Sequence, residues 1–74
     1  MGKSNYVYSL NVYGMRCGMC ETHINNLIRN SFPVKKVKSS RFKKETIIYS
    51  DTELNVEEII DKIASIGYEA SLKD

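Results

Sequence analysis

The stretch NVEEIIDKIASIGYEASL, residues 55–72, decides how this chain folds. Asn55, with Glu58 three positions later, has the form of a capping box that opens a helix. Gly67 suits the left-handed conformation just past a helix end. The residues expected to form the buried stripe of this helix are Val56, Ile59, Ile60, Ile63 and Ile66. The stretch therefore predicts a helix that Gly67 stops and that leads into a strand.

Alternating patterns predict a first and a last strand. Residues 68–72 alternate directly after that helix, and residues 6–13 alternate near the start of the chain. A period of two is typical of a strand with one solvated face. The side chains expected to share a face are Tyr68, Ala70 and Leu72 in the last strand and Tyr6, Tyr8, Leu10 and Val12 in the first.

A second helix and a hairpin are predicted between these strands. From Met19 onward apolar residues recur at helical spacing, and Pro33 forces the end of that helix. Its apolar positions are Ile24, Leu27, Ile28 and Phe32. The segments VKKVKSS, residues 34–40, and ETIIYS, residues 45–50, are β-prone and separated by a polar turn, which predicts a hairpin.

The predicted order is β-α-β-β-α-β. In a chain of 74 residues this order suits an α+β, ferredoxin-like sandwich of four antiparallel strands with two helices on one face. We expect residues 1–74 to form a single domain. Because this fold hosts many unrelated activities, function has to be argued from a site.

Size and composition limit the functions open to the chain. A domain this small has room for one thin core, so a large enzyme cleft is not expected, and we predict that the protein is not an enzyme. No apolar run is long enough to cross a bilayer, and the N-terminal residues alternate instead of forming a secretory signal. We therefore expect a soluble, cytoplasmic protein with reduced thiols and no direct insertion into a membrane.

Charge is divided unevenly along the chain. Residues 1–44 hold nine of the eleven Lys and Arg and one acid, a balance of +8, whereas residues 45–74 hold eight acids and two bases, a balance of −6. Six of the bases fall within residues 34–44. Such a run is most often a solvated face, and its functional interpretation is docking to an acidic partner.

Both cysteines lie in GMRCGMCETH, residues 14–23, where the first strand gives way to the first helix. The spacing lets the sulfurs of Cys17 and Cys20 converge near the helix N-terminus, which favours thiolates. Three interpretations remain open: buried hydrophobes, a thiol-disulfide oxidoreductase, and a metal site. Two sulfurs are too few for tetrahedral zinc, whereas soft, low-coordinate Cu(I) fits two thiolates and stays open to attack by a partner's sulfurs.

GMRCGMC, residues 14–20, resembles the Gly-Met-x-Cys-x-x-Cys loop of the heavy-metal-associated domain, found in copper chaperones and in N-terminal modules of copper-transporting P-type ATPases. The resemblance extends from Val12 to IGYEA, residues 66–70. It implies that Cys17 and Cys20 bind Cu(I), with Zn(II), Cd(II) or Hg(II) as alternative ions. The implied partner is a copper-transporting P-type ATPase or a similar metal-binding domain, and the protein is expected to be a monomer or a metal-bridged dimer.

Five further residues are expected near the site. The resemblance implies that Met15 packs beneath the loop and that Tyr68 faces the metal. Arg16 provides a positive charge beside an anionic bis-thiolate, and Met19 shields the site or offers a thioether. His23 lies three residues after Cys20, on the same helix face, so its imidazole is a candidate third ligand.

An RNA-binding function is the remaining alternative. Tyrosines on the predicted strands, together with the basic segment, resemble the stacking surface of RNA-recognition domains that share this fold. The aromatic signature of those domains is absent, and RNA binding gives no reason for the cysteine pair. We therefore predict no nucleic-acid partner.

Overall fold

The computed structural model describes residues 6–73, and its element order is the predicted one. The elements are β1 (Tyr6–Tyr13), α1 (Gly18–Ser31), β2 (Lys36–Ser40), β3 (Glu45–Ser50), α2 (Val56–Ser65) and β4 (Glu69–Leu72). The four strands form one antiparallel sheet in the order β2-β3-β1-β4. The ferredoxin-like fold is thus confirmed. No helix among the described residues is both long enough and apolar enough to span a bilayer.

One hydrophobic core joins the sheet to both helices. Its fully or almost fully buried members are Leu10, Val12, Ile24, Ile28, Val37, Ile48, Ile59 and Ile63. They come from the alternating positions of three strands and from one stripe on each helix, as the periodicities predict. The predicted stripe of α2 is wrong at its end, because Ile66 is 41% exposed beyond the last helical turn.

α2 begins where the sequence places it. The side-chain oxygen of Asn55 accepts hydrogen bonds from the backbone N–H groups of Glu57, at 2.9 Å, and Glu58, at 3.4 Å. These two groups would otherwise lack partners in the first turn of the helix.

A short chain of polar side chains lies under α1. The Ser39 hydroxyl on β2 donates to Asn25 Oδ1 on α1 at 2.7 Å and lies 3.0 Å from the hydroxyl of Thr46, which is fully buried on β3. Ser39 shares the inward face of β2 with the buried Val37. The hydrogen bonds explain how the fold accepts it, since a buried hydroxyl must find a partner.

The strand register sorts the connections into two ends of the sheet. Asn11 lies opposite Glu45 and Tyr13 lies opposite Glu69, so the β1–α1 loop, the β2–β3 turn and the start of β4 share one end. The backbone N–H of Val12 also donates to Lys44 in that turn, at 2.9 Å. β1 begins at the other end of the sheet, and β4 runs toward that end. Just after β4, the backbone N–H of Lys73 donates to the carbonyl of Ser9.

Candidate metal centre

The loop that carries the cysteines begins at a glycine that no other residue could replace without strain. Gly14 has φ of +109°, a conformation that L side chains rarely adopt. A Cβ built on it would lie 3.1 Å from Cδ1 of Tyr68. The bare backbone of Gly14 therefore lets the Tyr68 ring pack against the loop.

The structure brings the two sulfurs together. Cys17 is the N-cap residue of α1, with extended φ and ψ, and Cys20 lies in the first turn, where its N–H donates to the Cys17 carbonyl at 3.1 Å. The Sγ atoms are 3.8 Å apart. Both thiols are free; Cys17 is exposed and Cys20 is half-buried. The Cys17 side chain makes no capping hydrogen bond to the helix.

The surroundings of Cys20 favour its thiolate form. A hydrogen bond from the Tyr68 side chain is the largest cause that lowers the pKa of Cys20 to about 7, and backbone groups of Arg16 and Cys17 add to it. The same contact raises the pKa of Tyr68, because the phenol is the donor and loses that role once it ionises. Near neutral pH a substantial share of Cys20 is therefore thiolate.

The residues predicted to lie near the cysteines differ in how far they are exposed to solvent. Met15 is half-buried and packs against the core, as a residue beneath the loop. Met19, between the two cysteines, is 68% exposed, and Arg16 is exposed as well. Tyr68 is half-buried against the core, and its side chain interacts with Cys20 closely enough to lower the pKa of that thiol.

His23 is exposed on α1 and borders a shallow cavity beside the loop. The cavity is also lined by Asn26, Leu27, Ile66 and Tyr68. Within residues 6–73 no group of three or more His, Cys, Asp or Glu side chains is placed to hold a metal ion. Ligation by His23 therefore stays a prediction.

An ion pair that sequence reasoning missed connects the first turn of α1 to the hairpin. Glu21 Oε2 accepts from the backbone N–H of Arg41 at 2.6 Å, and its Oε1 lies 3.5 Å from the Arg41 guanidinium. As an acid in the first turn of α1, Glu21 also complements the helix dipole. The two residues are twenty positions apart, so only their shared end of the sheet could reveal the contact.

The strand tyrosines do not form one surface. Tyr6 and Tyr8 lie on the helix-facing side of β1, where their rings stack with centroids 6.4 Å apart. Tyr13 and Tyr49 lie on the open face of the sheet. This division removes half of the tyrosines from any surface on which the open sheet could stack nucleobases.

The fold and the site define a class: a small ferredoxin-like domain that presents two free thiols at an accessible strand-to-helix turn. Solved structures with a similar fold include a copper transporter domain and a metallochaperone. The yeast copper transporter domain Ccc2a, solved in apo and Cu(I)-loaded states, is 26% identical, covers 92% of this chain and 94% of its own, and has a TM-score of 0.83. The CopZ metallochaperone is 25% identical, covers 89% and 100%, and has a TM-score of 0.80.

A third solved structure has a similar fold. The N-terminal domain of ZntA, solved in its Zn(II) form, is 20% identical, covers 92% of each chain and has a TM-score of 0.82. No protein-family model and no curated protein matches the sequence. The resemblance to the heavy-metal-associated domain, expected from the sequence, is confirmed by these structural neighbours.

Proposed function

We propose that this protein binds one soft metal ion, Cu(I) before Zn(II), Cd(II) or Hg(II), through Cys17 and Cys20 and passes it to another protein. The observation that carries the proposal is the 3.8 Å separation of two free sulfurs on an accessible turn. The Cu(I)-loaded state in which the similar Ccc2a domain was solved, and the metallochaperone function in the name of the similar CopZ, support it.

The spacing of the sulfurs suits a shared metal ion. Two metal–sulfur bonds of about 2.3 Å bridge any separation up to about 4.6 Å, reached when they are collinear. At 3.8 Å the pair lies within that span, and a modest rotation of the exposed Cys17 side chain would open it for the near-linear coordination that a two-thiolate Cu(I) site allows. The acidity of Cys20 lowers the cost of deprotonation, which metal binding requires.

Transfer follows from the exposure of Cys17. A partner's thiolate approaches the ion from solvent, a three-coordinate intermediate forms, and Cys17, the less enclosed ligand, is the first to leave. Cys20 is half-buried and lies beside Tyr68, whose side chain stabilises its thiolate, so it holds the ion longest. The partner is a metal-binding domain of the same kind, such as that of a copper-transporting P-type ATPase, and the reaction is ligand exchange, not catalysis.

Within the cell we place this single-domain protein in the cytoplasm, where thiols stay reduced. It acts as a monomer, and a metal-bridged dimer corresponds to the transfer intermediate formed between two copies.

An anaerobic competition titration tests metal binding. The reduced protein is titrated with Cu(I), Zn(II) and Cd(II) against a chromogenic chelator, and about one Cu(I) per chain is expected. Cys17→Ser and Cys20→Ser should each abolish competition, whereas Met19→Leu, which changes the exposed side chain between them, should not. Failure of the reduced protein to take Cu(I) from a modest chelator would end the proposal.

His23 is tested in the same titration. If its imidazole ligates, His23→Ala weakens binding of at least one ion and changes the absorption spectrum of the complex. Asn26→Ala, which alters the same cavity one helical turn away, serves as the control. Unchanged affinities and spectra in His23→Ala would remove it from the ligand set.

A thiol-disulfide oxidoreductase is the second candidate, favoured by the lowered pKa of Cys20. Such an enzyme reduces a protein disulfide without metal, and reduction of insulin disulfides by dithiothreitol measures that activity. A rate above that of the Cys17→Ser variant would favour this candidate over metal transfer.

A further inference from the structure

The β2–β3 turn exposes one apolar side chain between basic residues. Residues 41–44, Arg-Phe-Lys-Lys, form what we call the basic tip. Phe42 is 81% exposed, and Lys43 and Lys44 are exposed beside it. The Arg41 guanidinium lies 4.4 Å from the centre of the Phe42 ring. The tip thus presents one aromatic ring flanked by positive charge.

The side chains of Phe42 and Lys44 are not part of the core. Lys44 has φ of +55°, a left-handed conformation that Gly or Asn adopts at lower cost. Its contribution to the fold is made by its carbonyl, which accepts from the N–H of Val12. Phe42 belongs neither to the core nor to the residues packed against it. The identities of Phe42 and Lys44 therefore call for a reason outside the fold.

The tip is held in place, and its two lysines form no salt bridge among the described residues, although Lys43 adds to the effect of Lys73 in lowering the pKa of Glu45. Glu21 fixes Arg41 through the backbone hydrogen bond and the ion pair described above. The exposed Arg16 adds positive charge at the same end of the sheet.

The opposite end of the molecule carries charges of both signs. The segment between β3 and α2, with the first turn of that helix, carries the exposed Asp51, Glu53, Glu57 and Glu58, but Asp51 pairs with Lys35 at 3.3 Å. The exposed bases Arg29 and Lys36 lie at the same end, so its acids exceed its bases by only one, whereas the tip carries an excess of bases. At the tip's end, Glu45 is paired with Lys73, and the exposed Glu69 lies on β4, at the far edge of the sheet from β2. A negative surface would therefore attract the molecule with its tip leading.

We propose that the basic tip docks this protein, peripherally and reversibly, on an anionic lipid bilayer. A convex apolar side chain flanked by cations fits the bilayer interface without any preformed pocket, because the ring enters the headgroup region while the lysines stay at its anionic surface. A protein partner would need a concave pocket matched to the tip. Docking would also bring the cysteine turn, which shares this end, close to the membrane surface.

Vesicle co-sedimentation of the reduced, metal-free full chain tests the proposal. The probes are vesicles of phosphatidylcholine alone and of phosphatidylcholine with about 30% phosphatidylserine. Binding is expected only to the anionic vesicles, and it should weaken as salt is raised. Absence of binding to the anionic vesicles at low salt would overturn the proposal.

Variants test the role of the tip itself. Phe42→Ser should lower partitioning to anionic vesicles about tenfold, because it removes the ring that enters the headgroup region. Lys44→Asn should lower it about fivefold, because it removes one charge at the membrane surface. Lys44→Asn should leave the midpoint of thermal unfolding unchanged or raise it, since Asn tolerates the left-handed conformation. The matched controls lie at the other end: Arg29→Gln removes the same charge and Val7→Thr an exposed apolar group, and neither should change partitioning.

The outcomes separate this inference from metal binding. Membrane docking does not rest on the proposed function, so Cys17→Ser should sediment with anionic vesicles as the unaltered protein does, and Phe42→Ser should keep its Cu(I) affinity. Anionic binding that the tip variants leave unchanged would overturn the proposal. Slower metal transfer to another domain in Phe42→Ser, with unaltered vesicle binding, would do the same and would point to a protein partner.

Discussion

The contact between Tyr68 and Cys20 sets the reactivity of the cysteine pair. With a pKa of about 7, Cys20 gains thiolate as pH rises through neutrality. Iodoacetamide reacts with the thiolate, so alkylation of Cys20 in the metal-free protein should rise with a midpoint near pH 7. Tyr68→Phe removes the largest stabilising contact and should move that midpoint upward.

Peptide mapping by mass spectrometry measures this prediction, because it separates alkylation of Cys20 from that of Cys17. Tyr13→Phe, which removes a phenol from the open face of the sheet, is the control and should leave the midpoint in place. An unmoved midpoint in Tyr68→Phe would show that the phenol does not govern the thiol.

Gly14, at the start of the cysteine loop, and Gly18, between the two cysteines, should respond oppositely to an added methyl group. Gly14→Ala forces Ala into φ of +109° with its Cβ 3.1 Å from the Tyr68 ring, so we expect a loss of about 1–3 kcal/mol in the free energy of unfolding. Gly18, the first residue of α1, lacks a positive φ, and its Cβ would make an ordinary contact 3.5 Å from Arg41. Gly18→Ala should be neutral or stabilise by up to about 1 kcal/mol.

Urea unfolding of the reduced proteins measures both changes. The comparison is informative because each variant adds the same methyl group near the same site. Equal effects of the two substitutions would contradict the conformational explanation.

At the level of the elements, the polar chain under α1 should behave as a coupled unit. Ser39→Ala leaves the buried Thr46 hydroxyl without its partner, so we expect a loss of about 1–3 kcal/mol of stability. Adding Thr46→Val removes the stranded hydroxyl and should restore part of that loss. A double-mutant cycle by urea unfolding measures the coupling, and strictly additive effects would show that the two hydroxyls do not depend on each other.

The sequence predicted the elements well where local signals were strong. The cap at Asn55 and the stop at Pro33 placed the helices, and β1 and β3 have the predicted bounds. β2 begins at Lys36, two residues later than predicted, although the backbone N–H of Lys35 already donates to the carbonyl of Tyr49 on β3 at 2.7 Å. Leu72 is 52% exposed although it shares a face with Ala70, since β4 is an edge strand.

The site was predictable only in part, for a physical reason. The Cys17 and Cys20 pair is a local signal, because a turn and a helix start fix their relative position. The Glu21–Arg41 ion pair depends on where the hairpin ends relative to α1, and the strand register decides that. A run of bases in the sequence cannot show which of them is neutralised by a distant carboxylate.

For the molecule as a whole, metal binding should appear as stability. An ion that binds the folded chain and not the unfolded one raises the free energy of unfolding by about 2.7 kcal/mol when free metal is buffered at 100 times its Kd. If Cys17 and Cys20 bind Cu(I), buffered Cu(I) should raise the thermal midpoint of the reduced protein. The Cys17→Ser/Cys20→Ser double variant should melt at one temperature with and without the ion, and a metal-dependent shift in that variant would place binding elsewhere.

The strand directions also govern how this domain can be attached to other things. The described chain enters at Tyr6 and leaves at Lys73 on the side of the sheet away from the sulfurs. A fluorophore, a surface linker or a fused second domain joined at either point would therefore lie at the end of the sheet opposite the thiols. In a tandem array joined in this way, the cysteine turn of each copy would stay accessible to solvent.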